Sequence, residues 1–307
     1  MEEGNTRKVL SVKPLQKGVA LALLSTFAVP AMAELEVDAY GSLRTSVESV
    51  SVDEAAAGED ENFVTIRDAF SRFGVKASYP MAGGTTLGGK IEVPFNTQNF
   101  NAEDPTFFDD NSVRVAKITA DGDWGSVVIG KDWLPYYNNI AYPVDLFSSF
   151  YSGWATYARF REYQAAYTTP SLGGLKFTAA AIQFDPQNDD GGAHYALSYS
   201  NGGFTAAVGM EDLDDGNETT STTDTRGVSA SYTTGPYYVA VKAEQQVPEN
   251  GDDEPVIKNV YASYDHNDFT FRGMLAEGDE ESFWAPGASY HLGMDYRYTD
   301  SFKAFVE

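Results

Sequence analysis

Few residues in this chain stand at spacings that could carry chemistry. His194, His266 and His291 are isolated, with no H-x-x-x-H or H-E-x-x-H pattern to bring two imidazoles onto one face. Solvated side chains rather than metal ligands are expected at all three. The chain has no cysteine, which excludes a disulfide framework and thiolate metal sites. The run Asp212-Leu213-Asp214-Asp215-Gly216-Asn217-Glu218 has the composition of a calcium loop but not the ligand spacing of an EF-hand, so it reads as a solvated acidic loop. Gly83-Gly84 and Gly88-Gly89 are followed by no phosphate-loop pattern, and no G-x-S-x-G is present. No catalytic residue, metal or cofactor is expected. With 45 acids against 21 bases the net charge is −24, which repels phosphates and argues against nucleic-acid binding.

The segment with most to offer is 132–158. It holds Pro135, Pro143, Trp133 and Trp154, with Tyr136, Tyr137, Tyr142, Phe147, Phe150, Tyr151 and Tyr157, and Phe160 just beyond. Asp145 is its one internal acid. A loop standing in water would be polar, and loops longer than about 12–15 residues are usually functional. This one is built to pack. It belongs inside a larger structure, folded against a wall; the alternative is an outer lid packed on its own aromatics.

The elements that must position it are strands. In Ala288–Tyr298 one face is Ala288, Tyr290, Leu292, Met294, Tyr296 and Tyr298, and the other is Ser289, His291, Gly293, Asp295 and Arg297. The same split sets Phe73, Val75, Ala77 and Tyr79 against Arg72, Gly74, Lys76 and Ser78. It also sets Tyr237, Val239, Val241 and Ala243 against Tyr238, Ala240, Lys242 and Glu244. A sandwich alternates too. Three features favour a membrane barrel: strands of about 9–12 residues, Tyr and Phe clustered at strand ends, and short turns alternating with long acidic loops. The fold class is therefore all-β, a transmembrane antiparallel β-barrel. One position resists: by the parity of Arg114, Lys117 would face lipid; either it lies near an interface and snorkels, or that strand carries a bulge.

Lys8, Lys13 and Lys17 precede the apolar run Gly18–Val29, and Ala31-Met32-Ala33 completes a secretory signal peptide over 1–33, cleaved between Ala33 and Glu34. The run is about 12 residues, short of the roughly 20 of a spanning helix. The barrel occupies 34–307. Strands are expected near 34–48, 62–79, 85–98, 111–120, 125–132, 160–169, 174–184, 193–200, 203–211, 224–234, 236–246, 256–265, 267–277 and 286–298, with another starting at Ser301. Single-chain bacterial barrels have even strand numbers, so at least sixteen are implied, and a chain running about 30–50 residues past Glu307. The alternative is a fourteen-stranded barrel with a tail.

Ser71-Arg72-Phe73-Gly74-Val75-Lys76, then Gly125–Trp133, then the aromatic segment, then Tyr167–Leu175 follow in an order and spacing that resembles the general diffusion porins of Gram-negative bacteria. The resemblance covers about Glu34 to Glu307. It implies a sixteen-stranded barrel, a homotrimer in the outer membrane, and a third loop, here 133–158, folded into the lumen. In that family basic residues on the wall face acidic residues on the loop. The matching wall positions are Arg72 and Arg114, with Arg161 or Arg159 as a looser match, and the loop partner is Asp145. Ser148-Ser149-Phe150-Tyr151-Ser152-Gly153 departs from the family's Pro-Glu-Phe-Gly-Gly-like turn, which implies a weaker transverse field and a more aromatic eyelet.

The function expected is passive diffusion of small hydrophilic solutes and ions, with weak cation selectivity from the net charge. The expected partners are outer-membrane lipid and lipopolysaccharide, to which divalent cations would bridge the acidic loops. A sugar-selective channel using the aromatic loop is the alternative, and a barrel enzyme or adhesin the third.

Overall fold

A computed structural model describes residues 35–52, 61–95, 113–149, 155–185, 190–214, 223–248, 254–280 and 286–307. The signal peptide with its Ala33–Glu34 junction lies outside the described residues. So do most of the acidic loops, and Phe150, Tyr151 and Trp154 of the aromatic segment.

The described chain is strand after strand: β1 (Glu36–Ser42), β2 (Thr45–Val52), β3 (Glu61–Asp68), β4 (Arg72–Pro80), β5 (Thr86–Pro94), β6 (Val115–Gly122), β7 (Gly125–Trp133), β8 (Arg161–Thr168), β9 (Leu175–Asp185), β10 (Asp190–Asn201), β11 (Phe204–Asp214), β12 (Thr223–Thr234), β13 (Tyr237–Pro248), β14 (Val256–His266), β15 (Phe269–Gly278), β16 (Gly287–Thr299) and β17 (Phe302–Val306). β1 and β4 to β17 form one 15-stranded sheet in chain order, and every ladder is antiparallel. Its continuous ladders satisfy the backbone without water, as a membrane wall requires. This is the wall of a transmembrane β-barrel.

β2 and β3 form a ladder of their own. The first two long strands expected from the sequence are each broken once, at Leu43-Arg44 and at Ala69-Phe70-Ser71. Side chains make the breaks. Asp68 Oδ1 accepts from Ser71 N at 2.8 Å, Ser71 Oγ accepts from Arg44 N at 2.9 Å, and Phe70 takes a left-handed φ of 67°. The Asp68–Ser71 bond is local and gives the backbone an alternative to the ladder, while the Ser71–Arg44 bond joins the two breaks across 27 residues.

Connections alternate in length. Two-residue turns, Gly202-Gly203, Gly235-Pro236 and Asn267-Asp268, join strands at one end; the long loops lie at the other. Gly202 (φ 60°) and Asn267 (φ 53°) adopt the left-handed backbone that tight hairpins demand.

The alternating pattern sorts side chains as the sequence suggests. Val208, Val228, Val239, Val260, Leu275, Tyr290 and Leu292 are exposed, on the face that meets lipid. Toward the short-turn ends this face carries an aromatic belt. Trp124 stacks with Tyr167, Tyr237 with Tyr264, and Phe269 lies 4.8 Å from Tyr296, the rings that sit well at a membrane–water boundary.

Lys117, whose facing the sequence left open, follows an irregularity in the strand. It faces the lumen, 2.7 Å from Asp132, while its neighbour Ile118 points to lipid, 66% exposed. The strand begins at Val115, and the chain bends at Arg114. Parity counted from Arg114 therefore runs one residue out of step.

Candidate functional site: a basic wall facing an aromatic loop

The third long connection, between β7 and β8, turns inward. Pro135 cannot continue the β7 ladder, and the chain winds into a π-helical turn (Tyr137–Ala141) and a 3-10 turn (Tyr142–Val144) opened by Pro143. Tyr136, Ile140 and Ala141 are buried against the inner face of the barrel. Small residues on β11 and β12 make the room: a Cβ on Gly227 would lie 2.4 Å from Tyr136 Oη, and one on Gly209 3.0 Å from Ile140. Beside them Ser229 Oγ donates to Asn139 O at 2.6 Å, and Tyr238 Oη donates to Pro143 O at 2.9 Å.

Two polar anchors hold the rest of the loop. On β13, Glu244 is fully buried and ion-paired with Lys242. It accepts from Thr156 Oγ1 at 2.8 Å and Tyr157 N at 3.2 Å, while Lys242 Nζ donates to Ala155 O at 2.8 Å. On β16, Asp295 accepts from Ser148 Oγ at 3.2 Å and pairs with Lys303 and Arg272. Next to it Phe147 stacks on His291, ring centroids 3.6 Å apart.

The opposite wall is basic. Glu92 on β5 accepts from Tyr40 Oη at 2.7 Å and Arg114 Nε at 3.0 Å, with Lys90 at 3.3 Å. Arg72 lies within the field of Arg44, Arg114 and Glu92, and Arg161 within that of Arg114, Glu92, Tyr137 and Arg72. Arg161 caps the Trp133 ring at 4.5 Å, and Arg114 stands 5.8 Å from the same ring. Such cation–π contacts hold a guanidinium in place without neutralising it. Among the described residues neither Arg72 nor Arg161 is in an ion pair. The loop offers Asp145, whose carboxylate accepts from Tyr137 Oη at 2.5 Å. Burial first, then that carboxylate, push the Tyr137 phenol well above its ordinary range, so it remains a donor. Among the described residues, five cationic side chains (Arg44, Arg72, Lys90, Arg114 and Arg161) thus gather around Glu92 and Asp145, both already bonded, with Glu162 beside Arg161.

A family model described as Gram-negative porin matches residues 20–307. The chain belongs to the Gram-negative porins. Solved structures of the same fold include the anion-selective porin from Comamonas acidovorans, at 19% identity over 89% of this chain and 87% of that one, with a TM-score of 0.65. Others are OmpF of Salmonella typhi in complex with daunomycin, at 17% identity over 88% of each chain and a TM-score of 0.67, and a loop L8 deletion mutant of OmpT of Vibrio cholerae, at 17% over 88% and 91% and a TM-score of 0.63. Comparison with curated protein sequences gave no match. The porin resides in the outer membrane, which its strands cross.

Of the positions singled out in the sequence, the structure gathers Arg72, Arg114 and Arg161 on one side of the porin lumen and Asp145 on the loop. Arg159 stands apart, half-exposed and 3.4 Å from Glu211. Arg44, Lys90 and Glu92 were missed; Lys90 and Glu92 share the inner face of β5, a signal the sequence carries. His194 is not solvated: it is fully buried beneath Tyr136, 3.7 Å from Glu211, because loop 133–158 lies over it. His291 faces the lumen as parity requires, but under Phe147 rather than in open water.

Proposed function

We infer that this porin is a passive channel for small hydrophilic solutes whose narrowest point favours anions. The carrying observation is the imbalance at the constriction, with Arg72 and Arg161 in no ion pair among the described residues while Glu92 and Asp145 are already engaged. The net charge of −24 argues the other way, for cation preference. Net charge is a sum over the whole chain, and salt screens those charges that stand more than a Debye length of about 8–10 Å from the ion path. Selectivity is set where solute and wall charges are closest and water is fewest.

Reversal potentials across a planar bilayer in a KCl gradient test this. Chloride preference is expected, and the double substitution Arg72→Gln, Arg161→Gln should lower the chloride-to-potassium ratio by about two- to fivefold, the screened effect of removing charges near the ion path. Cation preference in the unsubstituted porin refutes the reading.

A homotrimer fits the outer surface. Outward positions on β1, β4, β5 and β6 interleave small residues, Ala39, Gly41, Ala77, Gly89, Ala116 and Ala120, with Val37, Phe73, Val75, Ile91 and Ile118. Small side chains favour close protein contact over lipid anchoring. Cross-linking through cysteines placed at Ala39 and Ala116 would trap a trimer if this face is its interface. A sugar-selective channel is the second reading, supported by the ring cluster around Tyr137; block of the current by maltodextrin favours it.

A further inference from the structure

The arginines and the rings of this constriction touch one another, and that contact points to a narrower class of solute. Trp133 lies between the Arg161 guanidinium at 4.5 Å and the Tyr137 ring at 4.8 Å. From Tyr137 the rings continue to Phe160 at 5.1 Å and to Tyr142 at 6.1 Å. Tyr142 is 51% exposed and Phe160 37%, so each keeps an open face. Tyr136, Tyr137, Phe147 and Tyr157 of the same segment are buried, and Trp133 is half-buried. The Asp145 carboxylate adjoins the same patch, held by Tyr137.

A solute drawn to the guanidinium groups of Arg72 and Arg161, in no ion pair among the described residues, therefore meets at Trp133 the start of a run of rings that ends on the open faces of Phe160 and Tyr142. A small hydrated anion can use the arginines alone. A solute carrying one carboxylate on a planar ring can use both: its carboxylate takes the forked guanidinium donors, and its ring stacks on Tyr142 or Phe160. Asp145 disfavours a second negative charge at the ring end. We propose that the constriction is a binding subsite for aromatic monocarboxylates, retaining them over aliphatic anions of equal charge. The proposal rests on the anion-favouring reading above and names its substrate class.

Single-channel current through the full-length porin in KCl, titrated with sodium benzoate, cyclohexanecarboxylate or acetate, tests it. The expected result is block by benzoate at concentrations about three- to tenfold lower than cyclohexanecarboxylate, the range that ring stacking supplies beyond area. Acetate should be weaker still. Tyr142→Ala should narrow the benzoate advantage to less than twofold, and Tyr142→Phe, which keeps the ring, should preserve it. Equal block by benzoate and cyclohexanecarboxylate, an advantage that survives Tyr142→Ala together with Phe160→Leu, or block by maltodextrin with no benzoate preference would each overturn the proposal. Should a variant fail to insert, the comparison of the two acids on the unsubstituted porin decides alone. The KCl reversal potential separates the two failures: chloride preference without ring preference removes the subsite and leaves the anion filter standing.

Discussion

Replacing Glu244 with Ala should free one limb of the constriction loop without unfolding the barrel. In the native protein the Glu244 carboxylate is fully buried, paired with Lys242, and accepts from Thr156 Oγ1 and Tyr157 N. Glu244→Ala removes all of these at once and leaves the Lys242 ammonium with Ala155 O at 2.8 Å as its remaining close acceptor. Removing one partner of a buried ion pair costs about 3–5 kcal/mol, because the survivor is a charge without a counterion. Water from the lumen can reach the site once the loop lifts, so the lower figure applies, about 3 kcal/mol, or roughly a 150-fold shift in the equilibrium between docked and lifted loop. The strand ladders on either side of β13 involve the backbone and are untouched, so the cost falls on the loop. Single-channel recording should show added flicker and a larger open level in Glu244→Ala, with the heat stability of the barrel close to native. The double substitution Lys242→Met, Glu244→Leu removes both charges and should be quieter than the single one. A Glu244→Ala channel as quiet as the native one, or a double variant noisier than the single, would refute the reasoning.

The other predictions concern the same loop and the wall it faces. Tyr137→Phe removes the donor to Asp145, leaving that carboxylate more strongly charged toward the pore, and should lower chloride preference in a KCl gradient; Asp145→Asn should raise it by about twofold. Gly227→Val places side-chain atoms where Tyr136 Oη and Ile140 now sit, within 2.4 and 2.8 Å of a Cβ, and should displace the π-helical turn and change open-channel conductance; an unchanged conductance counts against this packing. The Tyr137 pKa is raised above 10.0 by burial and by Asp145. The stabilisation this represents is complete below pH 10 and is lost as pH rises beyond it, since the unfolded phenol ionises first. Difference titration of native porin against Tyr137→Phe should therefore show no phenolate from this residue at pH 10.

The strands were legible in the sequence because lipid on one side and water on the other impose a strict two-residue period. Tyr290, Leu292 and Tyr298 could be assigned to the outer face by counting alone, and the structure puts them there. Counting fails where the backbone leaves the ladder. The facing of Lys117 stayed open in the sequence because the bend at Arg114 breaks the parity, and the breaks at Arg44 and Ser71 depend in part on a side-chain bond between residues 27 apart. Those contacts belong to the folded register, not to any local pattern. The inward path of loop 133–158 could be read from its aromatics, but its seat could not. Only the fold shows that Gly209, Gly227 and Ser229 line up across neighbouring strands beneath Tyr136 and Asn139. The Lys242–Glu244 anchor had left a trace, two opposite charges two residues apart on an inner face, without any sign that a loop would cover them.

The filter charges and the loop's anchors stand on different arcs of the wall. Arg44, Arg72, Lys90, Glu92, Arg114 and Arg161 come from the stretch between β1 and β8, whereas Gly227, Lys242, Glu244 and Asp295 come from β12 to β16. This separates two tasks that a single patch would entangle. An exchange of charge on the first arc alters which solutes pass while the loop keeps its seat; an exchange on the second alters the aperture while the filter keeps its sign. Such a channel can be retuned for a new solute, by selection or by design, through substitutions that leave its architecture alone.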